Sequence, residues 1–357
     1  MKIVHFAPFA PNGSGMYEAA RDMVHADILM GHKAYLVDAG STPSDGIFPT
    51  FAENPKDDRG GFDLPIISPE AAQDADIFVG HVSMPDDWIV SSRAPIIWML
   101  HGRPLDCFRT EQNYSIKKSY SWLAQRAKWP RVRKMVTMWQ EHVPYWQAII
   151  PPNKLVCLDP PPMDETRFCC EGTKHVIQGK DIGDWNILIA DSWREDVDTY
   201  EIMMGAIEAS KHVKGIRIHN YAMKIKQDSI AVVDPWNLIF DYATRLGAQG
   251  EIYGRVGNME QIYRSMDIVL TPHRIATRIV GEALCCGTPV ITGSPSQWSR
   301  WWCIPEDAIS VVHAVINLTG ELRNSKGSVD KYTKQKADMF SLASWGRRIN
   351  ALYNEVV

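Results

Sequence analysis

The acidic, basic and imidazole groups of this chain gather in a few stretches whose spacing permits chemistry. The richest is 267–293, where Glu282 follows Arg278 by four residues and Arg274 by eight. An apolar run ends in Thr271-Pro272, a helical pattern follows, and Gly287-Thr288-Pro289 turns the chain into a second apolar run. In a parallel α/β sheet, the carboxyl end of a strand and the amino end of the next helix form an anion pocket. A diphosphate fits there, and Glu282, one to two turns into the helix, reaches ribose hydroxyls. The plain alternative is an ion pair between Arg278 and Glu282 on one solvated helix face, worth under about 1 kcal/mol.

Three smaller groups accompany it. Gly13-Ser14-Gly15 lies between a strand-like run and a helical one, where small residues let backbone amides approach a phosphate or an acceptor. The plain reading is a tight turn with Ser14 as helix cap. Position 18 is Glu, so this is not a Gly-x-Gly-x-x-Gly fingerprint. His101 ends the apolar run 96–100, and His81 ends 78–80. Imidazoles at the carboxyl ends of parallel strands face the ligand crevice of such a sheet. Cys285-Cys286 lies in an apolar helical pattern with no His or Asp at a diagnostic spacing, which reads as buried packing.

The elements that must hold these groups follow from apolar periodicity. Strands are expected at 2–6, 34–37, 76–80, 96–100, 134–138 and from 155, with an amphipathic helix over 16–30 that stops at Gly31. Pro160-Pro161-Pro162 then forms a rigid connection. The pattern restarts with strands at 185–190, 216–219 and 251–253 and helices at 199–210 and 236–246. Alternation of strands and helices predicts α/β architecture with two Rossmann-like, doubly wound parallel sheets. The expected domains are 1–164, 165–335 and a closing helical segment, 336–357.

The run Glu282-Ala283 to Cys286-Gly287-Thr288-Pro289-Val290 resembles the donor-binding segment of retaining GT-B glycosyltransferases. The resemblance extends to Pro162-Met-Asp164 with Phe168, to Gly254-Arg255-Val256 with Tyr263 and Asp267, and to the terminal 340–353. The family's second glutamate, eight residues upstream, is Arg274 here, and its donor lysine five residues after Arg194 is missing. The resemblance implies two domains facing a cleft, with a last helix crossing back to the first. It implies Glu282, Arg194, Arg274 and Arg278 on a nucleoside diphosphate sugar, a UDP-sugar foremost, with Arg255 lining the base pocket. Gly13, Ser14, Gly15, His81 and His101 then face the acceptor, His101 beside the transferred sugar. It also implies front-face substitution in which the departing phosphate helps to deprotonate the acceptor. Arginines neutralise the diphosphate, so neither a metal nor another cofactor is required.

With 357 residues and 45% hydrophobic content, the chain is long enough for two full cores. A formal charge of −4 argues against a wholly electrostatic nucleic-acid binder. Seven cysteines, two adjacent pairs among them, read as reduced cytosolic thiols, and no zinc spacing occurs. No apolar run approaches the length of a membrane span, so a cytoplasmic protein is expected. Between Arg103 and Lys134, however, nine Lys or Arg face two acids, and Tyr114, Tyr120, Trp122 and Trp129 are interleaved. That segment, with Lys117, Lys118, Arg131 and Arg133, is a candidate acceptor face for a polyanion. Hydroxymethylated DNA of the phage type, a glycan or lipid at a membrane surface, and a non-catalytic sugar-nucleotide binder all remain open.

Overall fold

The computed structural model describes residues 1–7, 15–37, 65–81, 93–102, 123–191, 198–221, 230–253 and 257–357. They form two compact units, Met1–Asp164 with Phe340–Val357, and Glu165–Met339.

The first unit is built on strands β1 (Lys2–Phe6), β2 (Lys33–Val37), β3 (Ile66–Ile67), β4 (Ile77–His81), β5 (Ile96–Leu100), β6 (Val132–Thr137) and β7 (Leu155–Cys157). They pair in parallel in the order β3-β2-β1-β4-β5-β6-β7. No residue of β5 is more than 1% exposed. A strand covered on both faces must be apolar throughout rather than alternating. The strand order reverses between β1 and β4, which opens a ligand crevice at their carboxyl ends.

The closing helix Leu342–Val356 packs against the first helix, Gly15–Leu29. Arg348 donates to the carbonyls of Asp159 (2.5 Å) and Pro160 (3.0 Å), and His32 Nε2 lies 2.9 Å from Asn350 Oδ1. The helices meet closely at Gly346, where an added Cβ would come within 2.7 Å of Met30 Cγ and 3.3 Å of the Ala26 carbonyl. Gly346→Val should therefore destabilise the protein by about 1–3 kcal/mol through overpacking. A fall in melting temperature checks this, and an unchanged one refutes the close crossing.

The second unit carries β8 (Trp185–Ile189), β9 (Ile216–Tyr221), β10 (Gln249–Tyr253), β11 (Ile268–Leu270), β12 (Val290–Thr292) and β13 (Trp301–Trp302). The order is β10-β9-β8-β11-β12-β13, again parallel, with its reversal between β8 and β11. Its core joins Ile187, Ile189, Ile218, Ile268 and Leu270 to the helix Thr199–Ala209 and the long helix Ala308–Ala337. Trp301 belongs to this core, so it is a packing residue. The helix expected over 236–246 spans Ile230–Arg245.

His219, fully buried on β9, accepts from the Glu251 amide at Nδ1 (3.1 Å) and faces Asn186 Oδ1 with Nε2 (3.1 Å). Its ring is thus held neutral, and burial lowers its pKa from 6.5 to about 4. Between those values the unfolded chain binds the extra proton, so stability rises with pH across the window. The contribution is fully present above 6.5 and is lost as pH falls toward 4. An upper bound is about 3 kcal/mol. Melting curves from pH 7 to 4 should show the slope, and His219→Asn should flatten it.

Candidate functional site

In the second unit, the helix Arg278–Cys285 follows β11 at the point where the strand order reverses. Thr277 precedes it with extended backbone, and its side chain caps no amide. The helix ends in a Schellman turn: the Gly287 amide donates to Leu284 and the Thr288 amide to Ala283, with Gly287 at φ +82°. Thr288 Oγ1 then donates to the Tyr263 carbonyl at 2.7 Å. The Gly-Thr-Pro turn thereby places Tyr263 beside Glu282.

Arg278 Nε donates to Glu282 Oε1 (2.9 Å), and the Tyr263 hydroxyl donates to Oε2 (3.3 Å). Both charged side chains are only about one-eighth exposed (13% and 12%), so this is a part-buried pair rather than a solvated one. Burial, with Glu282 close by, pushes the Tyr263 phenol well above its ordinary pKa, which keeps its proton in place for that bond. Across the reversal, His273 from the loop after β11 brings Nε2 to 2.8 Å from Oδ1 of Asp191, which follows β8. Asp191 is fully buried, and neither of its oxygens receives a well-directed hydrogen bond among the described residues.

Arg274 is exposed and pairs with Glu306. Arg194 and Arg255 lie outside the described residues, as do Gly13, Ser14, Lys117 and Lys118; Gly15 begins the first helix.

In the first unit, His5 on β1, His81 at the end of β4 and His101 just after β5 form a row across the strand reversal. His5 Nε2 lies 2.9 Å from Asp27 Oδ2, His5 Nδ1 3.0 Å from His81 Nε2, and His81 Nδ1 2.8 Å from His101 Nε2. Tyr353 of the closing helix donates to the same Asp27 oxygen at 2.9 Å. The first two imidazoles, Asp27 and Tyr353 are all essentially buried. Burial and its two imidazole neighbours hold His81 well below its ordinary pKa. The linked nitrogens bond to one another rather than converging on a point. Among the described residues no group of three or more His, Cys, Asp or Glu is placed to hold a metal ion.

Arg131 and Arg133 stand elsewhere. They flank the start of β6, whereas His101 follows the end of β5 in a parallel pair, so they occupy the opposite edge of the sheet. Arg131 donates to the Arg93 carbonyl, and Lys134 pairs with Glu355 at 2.6 Å. Arg126 is buried against the rings of Trp98 and Trp129 (5.3 and 5.4 Å), and burial lowers its pKa to about 9. Three of the basic segment's five described cations thus serve internal contacts.

Sequence reasoning missed His5, Asp27, Tyr353 and His273. A histidine inside the apolar run Lys2–Phe6 was the available signal, because a buried imidazole needs partners.

No family model and no curated protein matches the chain. Solved structures do. Sucrose-phosphate synthase from Thermosynechococcus elongatus superposes with TM-score 0.70 at 11% identity, covering 99% of this chain and 98% of that one. HepE from Anabaena, in complex with UDP and glucose, gives 0.66 at 12% identity over 99% and 100%. A glycosyltransferase from Rickettsia africae gives 0.64 at 14% identity over 99% and 98%. Both reversed parallel sheets recur over the full length of these proteins, and the chain has the GT-B fold of the glycosyltransferases.

Proposed function

We propose that the protein is a retaining glycosyltransferase that moves a sugar from a nucleoside diphosphate sugar, a UDP-sugar first, to an acceptor hydroxyl. The observation that carries this reading is the part-buried Arg278–Glu282–Tyr263 cluster at the strand reversal of the second unit. There the amino end of the helix turns its positive dipole end to a diphosphate, and Arg278 and Arg194 offset the charge that builds on it as the sugar leaves. Glu282 takes ribose hydroxyls, and Arg255 walls the base. Arg274, drawn toward Glu306, acts on the diphosphate only after exchanging that exposed ion pair. His101 faces the sugar and the acceptor. HepE was solved with UDP and glucose, which favours the same donor class.

The acceptor is stated as a hydroxyl compound. For a polyanion such as hydroxymethylated DNA, the described cations offer little, since Arg126, Arg131 and Lys134 are engaged internally and Arg131 and Arg133 lie on the far sheet edge from His101. No helix among the described residues is long and apolar enough to cross a membrane.

A panel of UDP-, GDP- and ADP-sugars, followed for hydrolysis and transfer with and without EDTA, tests the reading. Turnover with one nucleotide class, undiminished by the chelator and with the anomeric configuration kept, is the expected result. Nucleotide binding with silence across the panel would instead mark a sugar-nucleotide binder.

A further inference from the structure

The row of imidazoles in the first unit is an oriented chain. Its buried end is Asp27, whose Oδ2 accepts from the Tyr353 hydroxyl and faces His5 Nε2. Burial, with Asp27 nearby, raises the Tyr353 pKa well above its ordinary value, so this phenol keeps its proton and donates. A carboxylate only accepts, so His5 must carry its proton on Nε2. Its Nδ1 is then the acceptor, and His81, 3.0 Å away, must donate from Nε2. By the same rule His81 accepts at Nδ1, and His101, 2.8 Å away, must donate from Nε2. One charge at Asp27 therefore decides the tautomer of an imidazole three residues along the chain. The assignment follows from the heavy-atom network, since one proton fits each short contact.

We propose that Asp27, His5 and His81 are positioning residues that hold His101 as the neutral Nε2–H tautomer, so that its Nδ1 accepts a hydrogen bond from a ligand hydroxyl. This deepens the glycosyltransferase reading, on which the nature of the ligand rests: the head of the chain takes a hydroxyl of the sugar or acceptor, not the anionic diphosphate. An imidazolium would suit a phosphate, but a second proton on His101 would place a cation 2.8 Å from the fully buried imidazole of His81. The carboxyl ends of β4 and β5, where His81 and His101 stand, lie beside the crevice of the strand reversal, where this fold class receives ligands.

The first measurement needs no substrate. Nitrogen NMR of ring-labelled protein at pH 7.5 should show His5, His81 and His101 neutral and protonated at Nε2. A His101 ring protonated at Nδ1, or charged, would overturn the proposal whether or not the protein transfers a sugar. Asp27→Asn removes the carboxylate that orients the chain, and His101 should then populate the other tautomer. Tyr353→Phe, a milder change that keeps the packing, should shift the same signals in part. With a donor that turns over, Asp27→Asn should lower kcat/KM for the acceptor by about 10- to 100-fold, the equivalent of one or two lost hydrogen bonds. UDP affinity should stay unchanged. An unaltered His101 tautomer in a folded Asp27→Asn variant would refute the relay. Turnover absent from wild type with the expected tautomers would sink the glycosyltransferase reading alone.

Discussion

Glu282→Ala should weaken UDP binding by about 100-fold or more and leave no measurable sugar transfer. The size follows from the role proposed for the side chain. A carboxylate accepting two ribose hydroxyls gains about 1.5–3 kcal/mol from each, since hydrogen bonds to charged groups lie in that range. Two such bonds exceed the 2.7 kcal/mol that corresponds to a hundredfold in affinity. The same substitution strips Arg278 Nε and the Tyr263 hydroxyl of an acceptor. With the pair only about one-eighth exposed, that costs stability as well, on the order of 1–3 kcal/mol. Glu282→Gln separates the two effects. It keeps the size and an acceptor oxygen, so melting temperature should fall less while UDP affinity still drops about tenfold through lost charge. Calorimetric titration with UDP decides the matter, and wild-type affinity in Glu282→Ala would remove the ribose role.

This site was legible in sequence where one local rule governed it. The spacing of Arg278 and Glu282 on a helix and the punctuation by Gly287-Thr288-Pro289 are short-range facts, and the structure turns them into a charged pair and a Schellman turn. The fully buried strands were legible for the same reason, because an uninterrupted apolar run has few other solutions. What failed involved long-range placement. His5, Asp27, His81 and Tyr353 meet across separations of 22, 76 and 326 residues. Their meeting depends on strand order, which puts β1 next to β4, and on a last helix that returns to the first unit. Periodicity carries no record of either. Arg131 and Arg133 were counted with the acceptor face because charge density ignores strand direction, yet β6 starts on the far edge. The helix expected over 236–246 begins six residues earlier, at Ile230, with Pro235 inside it. Trp301 reaches the core through a short edge strand, β13, whose two residues are too few to show a period.

Gly293→Ala should disable the proposed donor site from a position outside it. Gly293 ends the segment after β12, and its amide donates to the His273 carbonyl at 2.8 Å. Next to it, Ser294 Oγ donates to the Arg274 carbonyl at 3.2 Å, and the Thr271 amide donates to Ile291 at 3.0 Å. Three bonds thus hold the 271–274 loop against residues 291–294. A methyl group at Gly293 would overlap the Pro272 carbonyl oxygen and come within 2.9 Å of Pro305 Cγ. The obstacle is backbone and a proline ring, so no rotamer relieves it, and the loop itself must shift. The expected cost is about 1–3 kcal/mol of stability. The larger effect is geometric, because the displaced loop carries His273 away from Asp191 and re-aims the start of the helix that bears Arg278 and Glu282. Errors of about 1 Å in such a constellation cost on the order of 100-fold in rate. Gly205→Ala provides the contrast, since it clashes with Val311 in the core of the same unit rather than with the 271–274 loop. Both variants should melt earlier, but only Gly293→Ala should also lose UDP affinity at a temperature where it remains folded. Equal retention of UDP binding in the two would show that the loop does not shape the donor site.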